Sequence, residues 1–165
     1  MQQPPAPDAW TAFAVQVFTV NGLIIRAGEA IARPAGQSSA RWQVLGRAYQ
    51  PQTVPEMARD LGLARQSVQR VADVLAAEGL VVYRPHPTDR RTKLVELTPQ
   101  GQRVLAEIHR RQVQWSEELL QSLDLEVLRA TSSALEAVAE ALRRNLDGDR
   151  HDRHHDRHAE KESSR

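Results

Sequence analysis

Cysteine is absent from this 165-residue chain, which excludes a disulfide framework, a cysteine-based zinc site and thiol oxidation as a signal. Surplus charge is missing too: 22 Lys and Arg stand against 21 Asp and Glu, a formal net charge of +1. Any anion-binding surface must therefore come from uneven placement of charge. No basic leader opens the chain, because residues 1–8 are rich in Gln and Pro. No uninterrupted apolar run approaches the roughly eighteen residues that a membrane span needs. The expectation is a cytoplasmic protein that stays off the membrane. Nor is there a catalytic constellation: His86 and His109 have no nucleophile or carboxylate at a recognisable spacing, so neither an enzyme nor a resident cofactor is expected.

The composition, 41% apolar and 26% charged, is that of a globular chain with a packed core. The length suits one ordinary domain, or a small domain wrapped by helices that complete their burial against a second copy. Charge is unevenly spread. Between residues 62 and 93, Arg65, Arg70, Arg84, Arg90, Arg91 and Lys93 face only Asp73, Glu78 and Asp89, so this stretch is locally cationic.

Apolar residues from Trp10 through Phe13, Val17, Phe18, Ile24, Ile25 and Ile31 recur on one broad helical face. Pro34 ends that helix near Arg33. Ser38 or Ser39 caps a second helix carrying Trp42, Val44, Leu45 and Ala48. Thr53-Val54-Pro55-Glu56 has the form of a capping box with proline in the first turn. Leu61-Gly62-Leu63 then leads into a periodic segment of Val68, Val71, Ala72 and Leu75 that stops at Gly79. Two short helices joined by a tight glycine turn make a helix-turn-helix candidate. After Gly79 the pattern becomes extended, with Leu80-Val81-Val82-Tyr83 and Leu94-Val95-Glu96-Leu97 as β-prone runs flanking a basic, proline-containing segment. This predicts a β-hairpin with a long cationic tip, a wing. Thr98 and Pro99 start a long helix bearing Val104, Leu105, Ile108, Trp115 and Leu119, and a break near residues 122–124 precedes a last helix with Leu125, Leu128, Leu135, Val138, Leu142 and Leu146.

The order of four helices, a hairpin with a basic tip and two further helices resembles the MarR family of multiple-antibiotic-resistance-type regulators. The motif Thr88-Asp89-Arg90-Arg91-Thr92-Lys93-Leu94-Val95-Glu96-Leu97-Thr98-Pro99-Gln100-Gly101 is similar to that family's wing and the start of the following helix. Leu61-Gly62-Leu63 with Ser67-Val68, Arg70, Asp73, Leu75 and Glu78-Gly79-Leu80-Val81 is similar to its recognition helix and exit. The resemblance implies a mainly α fold with a small β-hairpin, a winged helix-turn-helix with long N- and C-terminal dimerisation helices. The expected division is a disordered N-terminus (1–7), an N-terminal dimerisation helix (8–36), the winged lobe (37–97), C-terminal dimerisation helices (98–147) and a disordered His-rich tail (148–165).

A recognition helix enters the major groove by its N-terminal residues, which must be polar and long. Arg65, Gln66, Ser67 and Gln69 meet that requirement, with Arg or Gln able to pair with guanine or adenine, and Arg70 is assigned to phosphate. At the wing, the resemblance implies that Asp89 supports the hairpin by pairing with an arginine. It further implies that Arg91 enters the minor groove, while Arg90 and Lys93 follow phosphates. An arginine-rich loop by itself is a solvated surface; its position between two β-runs, directly after a helix-turn-helix, is what points to double-stranded DNA. The chain departs from the family pattern at Ala64, where a small hydroxyl or similar capping residue is usual.

The default reading of Trp10, Trp42 and Trp115 is core packing at helix junctions. The resemblance also implies a small aromatic effector, with Trp42 and Arg47 as candidate lining. The tetrad His-Asp-Arg-His occurs twice after residue 150 and reads as a solvated tail without a metal, a metal-binding module being the alternative. One-sided apolar stripes on the terminal helices predict a homodimer. The function expected is a sequence-specific transcription regulator, a repressor released by an effector. The alternative is a shape-reading architectural DNA binder.

Overall fold

A computed structural model describes residues 6–89 and 91–162, of which residue 6 and residues 147–162 are described by backbone alone. The elements are α1 (Ala6–Ala32), a 3-10 turn (Arg33–Ala35), α2 (Ser39–Arg47), β1 (Gln52–Thr53), α3 (Val54–Leu61), α4 (Arg65–Ala77), β2 (Val81–Pro85), β3 (Lys93–Leu97), α5 (Pro99–Leu120) and α6 (Leu125–Glu162). By contacts the chain divides into two compact units, 1–115 and 116–165. The boundary falls inside α5 and not at residue 98, because Val104, Leu105 and Ile108 in the first half of α5 pack with the winged lobe.

In the first unit, Ser38 caps α2 by accepting from the Arg41 amide at 3.3 Å. Glu29 of α1 holds that same end, its carboxylate accepting from the Ser39 amide at 2.8 Å. Thr53 and Glu56 close the capping box of α3: the Thr53 amide donates to Glu56 Oε2 at 2.8 Å and the Glu56 amide to Thr53 Oγ1 at 3.4 Å. Hydrogen bonds from the Thr53 backbone and hydroxyl hold the Glu56 carboxyl below its ordinary value. Gly62, at φ 65°, takes the left-handed conformation that ends α3, a geometry costly for residues with a Cβ.

The core joins all these elements: Val44, Leu45, Met57, Val68, Leu75 and Val95 are fully buried. A second cluster of Ile31, Ala32 and Ile108, with Trp42 against it, ties α1 and α5 to α2. Strands β2 and β3 pair antiparallel with Tyr83 opposite Val95. Val95 and Leu97 are buried while Leu94 and Glu96 are only partly so, the alternation that a one-sided sheet requires. Thr98 starts α5, accepting from the Gly101 amide and donating to the Gly79 carbonyl at 2.6 Å. Gly101 lies so close to this junction that an added Cβ would stand 2.0 Å from the Leu80 carbonyl oxygen.

Four expectations are corrected. The hairpin is part of a three-stranded sheet, order β1-β3-β2; β1 has two residues, too few to show a period. Of the N-terminal seven residues expected to be disordered, 1–5 lie outside the described residues, and Ala6 and Pro7 already belong to α1, where proline in a first turn costs no hydrogen bond. Most of the segment expected to be a disordered tail belongs to α6, which runs to Glu162. That stretch contains no proline to interrupt a helix; residues 163–165 lie outside the described residues. Finally, residues Pro7–Ala35 are long and apolar enough, by length and composition, to cross a membrane, because Ala, Val, Ile and Phe outweigh the scattered Thr, Gln and Asn.

The exposed apolar faces explain why two tryptophans are not core. Trp10 is 50% exposed and Trp115 38%; only Trp42 is half-buried as expected. On α1, Phe18, Leu23, Ile24 and Ile25 are exposed, as are Leu128, Leu135, Leu142 and Leu146 on α6. In the second unit, Asp124 caps α6, accepting from the Glu126 amide at 2.8 Å.

Candidate nucleic-acid interface

Helix α4 follows the Gly62 turn with its apolar side, Val68, Ala72 and Leu75, buried and with Val71 packed on the core. That orientation leaves Arg65, Gln66, Ser67 and Arg70 exposed. Ala64 is the N-cap and supplies no side-chain hydrogen bond; only its carbonyl is used, accepting from the amides of Ser67 and Val68 at 3.0 and 3.2 Å. The first turn thus presents its side chains without a capping hydroxyl among them.

Between α4 and the hairpin lies a groove of about 310 Å³ lined by Arg65, Gln69 and Asp73 from α4, Tyr83 from β2, and Arg91, Thr92 and Lys93 from the wing, with residues 53–55 at its end. Three cations thus meet along one groove. Among the described residues, none of Arg65, Arg70, Arg91 and Lys93 is in an ion pair, whereas Arg41, Arg47 and Arg84 are paired with Glu78, Asp60 and Glu96. Arg90 lies outside the described residues.

Gln69 has partners that the sequence does not reveal. Its Nε2 lies 2.9 Å from Asp73 Oδ1 and 2.8 Å from the Tyr83 hydroxyl, which itself donates to Asp73 Oδ1 at 2.7 Å. Burial and the neighbouring Asp73 push the Tyr83 phenol far above its ordinary value of 10, so it keeps its proton. Tyr83 and Asp73 were not among the expected site residues. The helical spacing from Gln69 to Asp73 was a usable signal, but no feature of the sequence indicates that Tyr83 reaches across to them.

Asp89 holds the wing tip through backbone amides. Its Oδ1 accepts from the Arg91 backbone amide at 2.9 Å, and its carbonyl accepts from the Thr92 amide at 3.2 Å. Among the described residues Asp89 pairs with no arginine, because a short carboxylate in a tight turn finds backbone amides nearer than guanidinium groups. His86 completes the turn: its Nδ1 accepts from the amides of Thr88 and Asp89 at 3.3 and 3.2 Å. These contacts support the tip from within and leave the Arg91 side chain exposed.

A separate cavity of about 560 Å³ is lined by Trp42, Gly46 and Tyr49 on one side and by Gln102, Leu105, Ala106, His109 and Gln112 of α5 on the other. Trp42, one of the two candidate lining residues, is among those that line it. Arg47 is not; it is exposed and 3.9 Å from Asp60, since one helical position along from Gly46 points it away from α5. Among the described residues, no Asp, Glu, Arg or Lys side chain lines this cavity.

Comparison with known proteins bears on the same region. The MarR family profile matches residues 41–92. An uncharacterized protein of Mycobacterium tuberculosis (strain ATCC 25618 / H37Rv) is 39% identical over 140 residues, spanning 82% of this chain and 96% of that protein. Among solved structures, CouR from Rhodococcus jostii RHA1 bound to p-coumaroyl-CoA has a TM-score of 0.69 at 23% identity, covering 77% of this chain and 91% of CouR. The M. tuberculosis transcriptional regulator MosR in complex with DNA has a TM-score of 0.65 at 24% identity, covering 79% and 97%. At these identities both structures establish the shared fold.

Proposed function

This chain belongs to the MarR family of DNA-binding transcription regulators and is not an enzyme, and from that premise we propose that it is a cytoplasmic, homodimeric repressor whose hold on a pseudo-palindromic operator is relieved by a small aromatic effector. The observation that carries the DNA-facing part is the groove between α4 and the wing. Its cations have no carboxylate partners among the described residues, which leaves them available to phosphates, whose condensed counterions they would release. Arg65, Gln66 and Ser67 would meet base edges, Arg70 and Lys93 phosphates, and Arg91 the minor groove. Arg90 belongs with the phosphate contacts on the strength of the sequence alone.

The dimer reading rests on exposed apolar surface. A monomeric soluble chain rarely exposes contiguous patches beyond a few hundred Å², and α1 alone exposes Trp10, Phe18, Leu23, Ile24 and Ile25. A second copy covers that surface without the cost of placing Asp8, Arg26 and Glu29 near a bilayer. The effector reading rests on the cavity between α2 and α5, whose Trp42, Tyr49 and Leu105 suit a planar ring. CouR, a fold relative, binds p-coumaroyl-CoA, which carries such a ring.

Competition binding tests the reading. The protein is titrated against a duplex selected from its source genome, with random-sequence competitor present at physiological salt. A specific excess of about a thousandfold is expected. Equal affinity for unrelated duplexes would replace the repressor with a shape-reading architectural binder.

A further inference from the structure

The ring of hydrogen bonds formed by Gln69, Asp73 and Tyr83 can be oriented in only one way. A carboxylate has acceptors and no donor, so the group of Gln69 that faces Asp73 must be its NH₂ end. The one proton of the Tyr83 hydroxyl goes to Asp73 Oδ1 at 2.7 Å. The phenol oxygen therefore accepts from Gln69, again from Nε2 at 2.8 Å. The amide end turned into the protein is thereby the NH₂ end on chemical grounds alone. What remains is Oε1, which has no hydrogen bond among the described residues, on a side chain that lines the groove beside Arg65 and Arg91.

This changes what Gln69 can read. A free glutamine pairs with adenine through both ends, accepting from N6 and donating to N7. One whose two N–H are both engaged, one by Asp73 Oδ1 and one by the Tyr83 oxygen, can only accept. In the major groove the exocyclic amino groups are adenine N6 and cytosine N4, while guanine and thymine present O6 or O4 acceptors there. We propose that Asp73 and Tyr83 are specificity-determining positioning residues that hold Gln69 as a lone acceptor, so that it selects an amino-bearing base, adenine or cytosine alike, over guanine or thymine. The proposal rests on the reading that α4 enters the major groove.

The test is selection from randomised duplexes by the full-length wild type, Tyr83→Phe and Asp73→Asn at physiological salt. Side-chain amide NMR of Gln69 in the free proteins accompanies it. In the wild type, one position of each half-site should accept adenine and cytosine within about twofold of each other and disfavour guanine and thymine by about tenfold. Tyr83→Phe removes the hydroxyl, and Asp73→Asn gives Gln69 a partner that donates as well as accepts. Each should release at least one Gln69 N–H to donate to adenine N7, so that adenine rises over cytosine at that one position while affinity for the best site changes by less than about fivefold. The Gln69 NH₂ protons, slow to exchange in the wild type, should exchange fast in both variants. Should Asp73→Asn not fold, Tyr83→Phe decides alone. The inference is overturned if the wild type takes adenine but rejects cytosine, or if the variants keep its base profile. Wild-type binding with no base preference at any position would instead overturn the groove reading, and this inference with it, even where the NMR result shows the ring intact.

Discussion

An exposed arginine on a hairpin is ordinarily a solvated charge, and what distinguishes Arg91 is that its backbone is fixed while its side chain is not engaged. Asp89 and His86 hold the tip through backbone amides, so removing the guanidinium leaves the turn intact. Arg91→Ala is expected to weaken operator binding by about tenfold with an unchanged melting temperature, as measured by fluorescence anisotropy beside a thermal melt. Gly101 is the opposite case, important to the fold and outside the groove between α4 and the wing. An added methyl would stand 2.0 Å from the Leu80 carbonyl oxygen, and backbone cannot yield as a flexible side chain does. Gly101→Ala should cost about 3 kcal/mol, seen as a lower denaturation midpoint; an unchanged midpoint would mean that α5 does not start against β2. At this scale the sequence is a good guide to which polar residues of α4 are exposed and a poor one to their partners. Arg65, Gln66 and Ser67 are legible from the polar start of a helix. The backbone role of Asp89 and the capture of Gln69 depend on distances between elements that no local pattern contains.

Elements were more legible than residues, because caps and periods are local. The Thr53–Glu56 box is readable in four letters and forms as written. It also carries a pH dependence. Thr53 holds the folded pKa of Glu56 below its ordinary 4.5. Stability from this carboxylate is therefore fully present above that ordinary value and is lost as pH falls through the lowered folded one. Glu56→Gln should cost about 0.5–1 kcal/mol at neutral pH and nothing once the wild-type carboxyl is protonated; denaturant midpoints taken down to below about pH 4 check the convergence. Strand β1 was not legible, since two residues pair with Leu94 and Val95 only because α3 is held beside the hairpin. The extent of α6 was missed for another reason: hydrophilic composition argues against a core but does not forbid a helix.

At the scale of the whole molecule, near-neutral charge conceals a cationic groove, and a globular composition conceals exposed apolar faces on α1 and α6. The sequence showed the second through helical stripes with nothing within the lobe to cover them. If a second copy covers α1, a charge placed there separates the copies. Phe18→Glu, at a residue 74% exposed in the single chain, should convert a dimer to a monomer in sedimentation velocity and lower operator affinity with it. A dimer unaffected by that change would direct the interface elsewhere.

The most direct measurement is a hydroxyl-radical and methylation footprint of the full-length protein on its selected operator. Two protected major-groove patches about 34 Å apart, each flanked by a minor-groove contact that disappears with Arg91→Ala, are expected from α4 and the wing acting together. Uniform protection along the duplex, or major-groove guanines as reactive with protein as without it, would contradict the account.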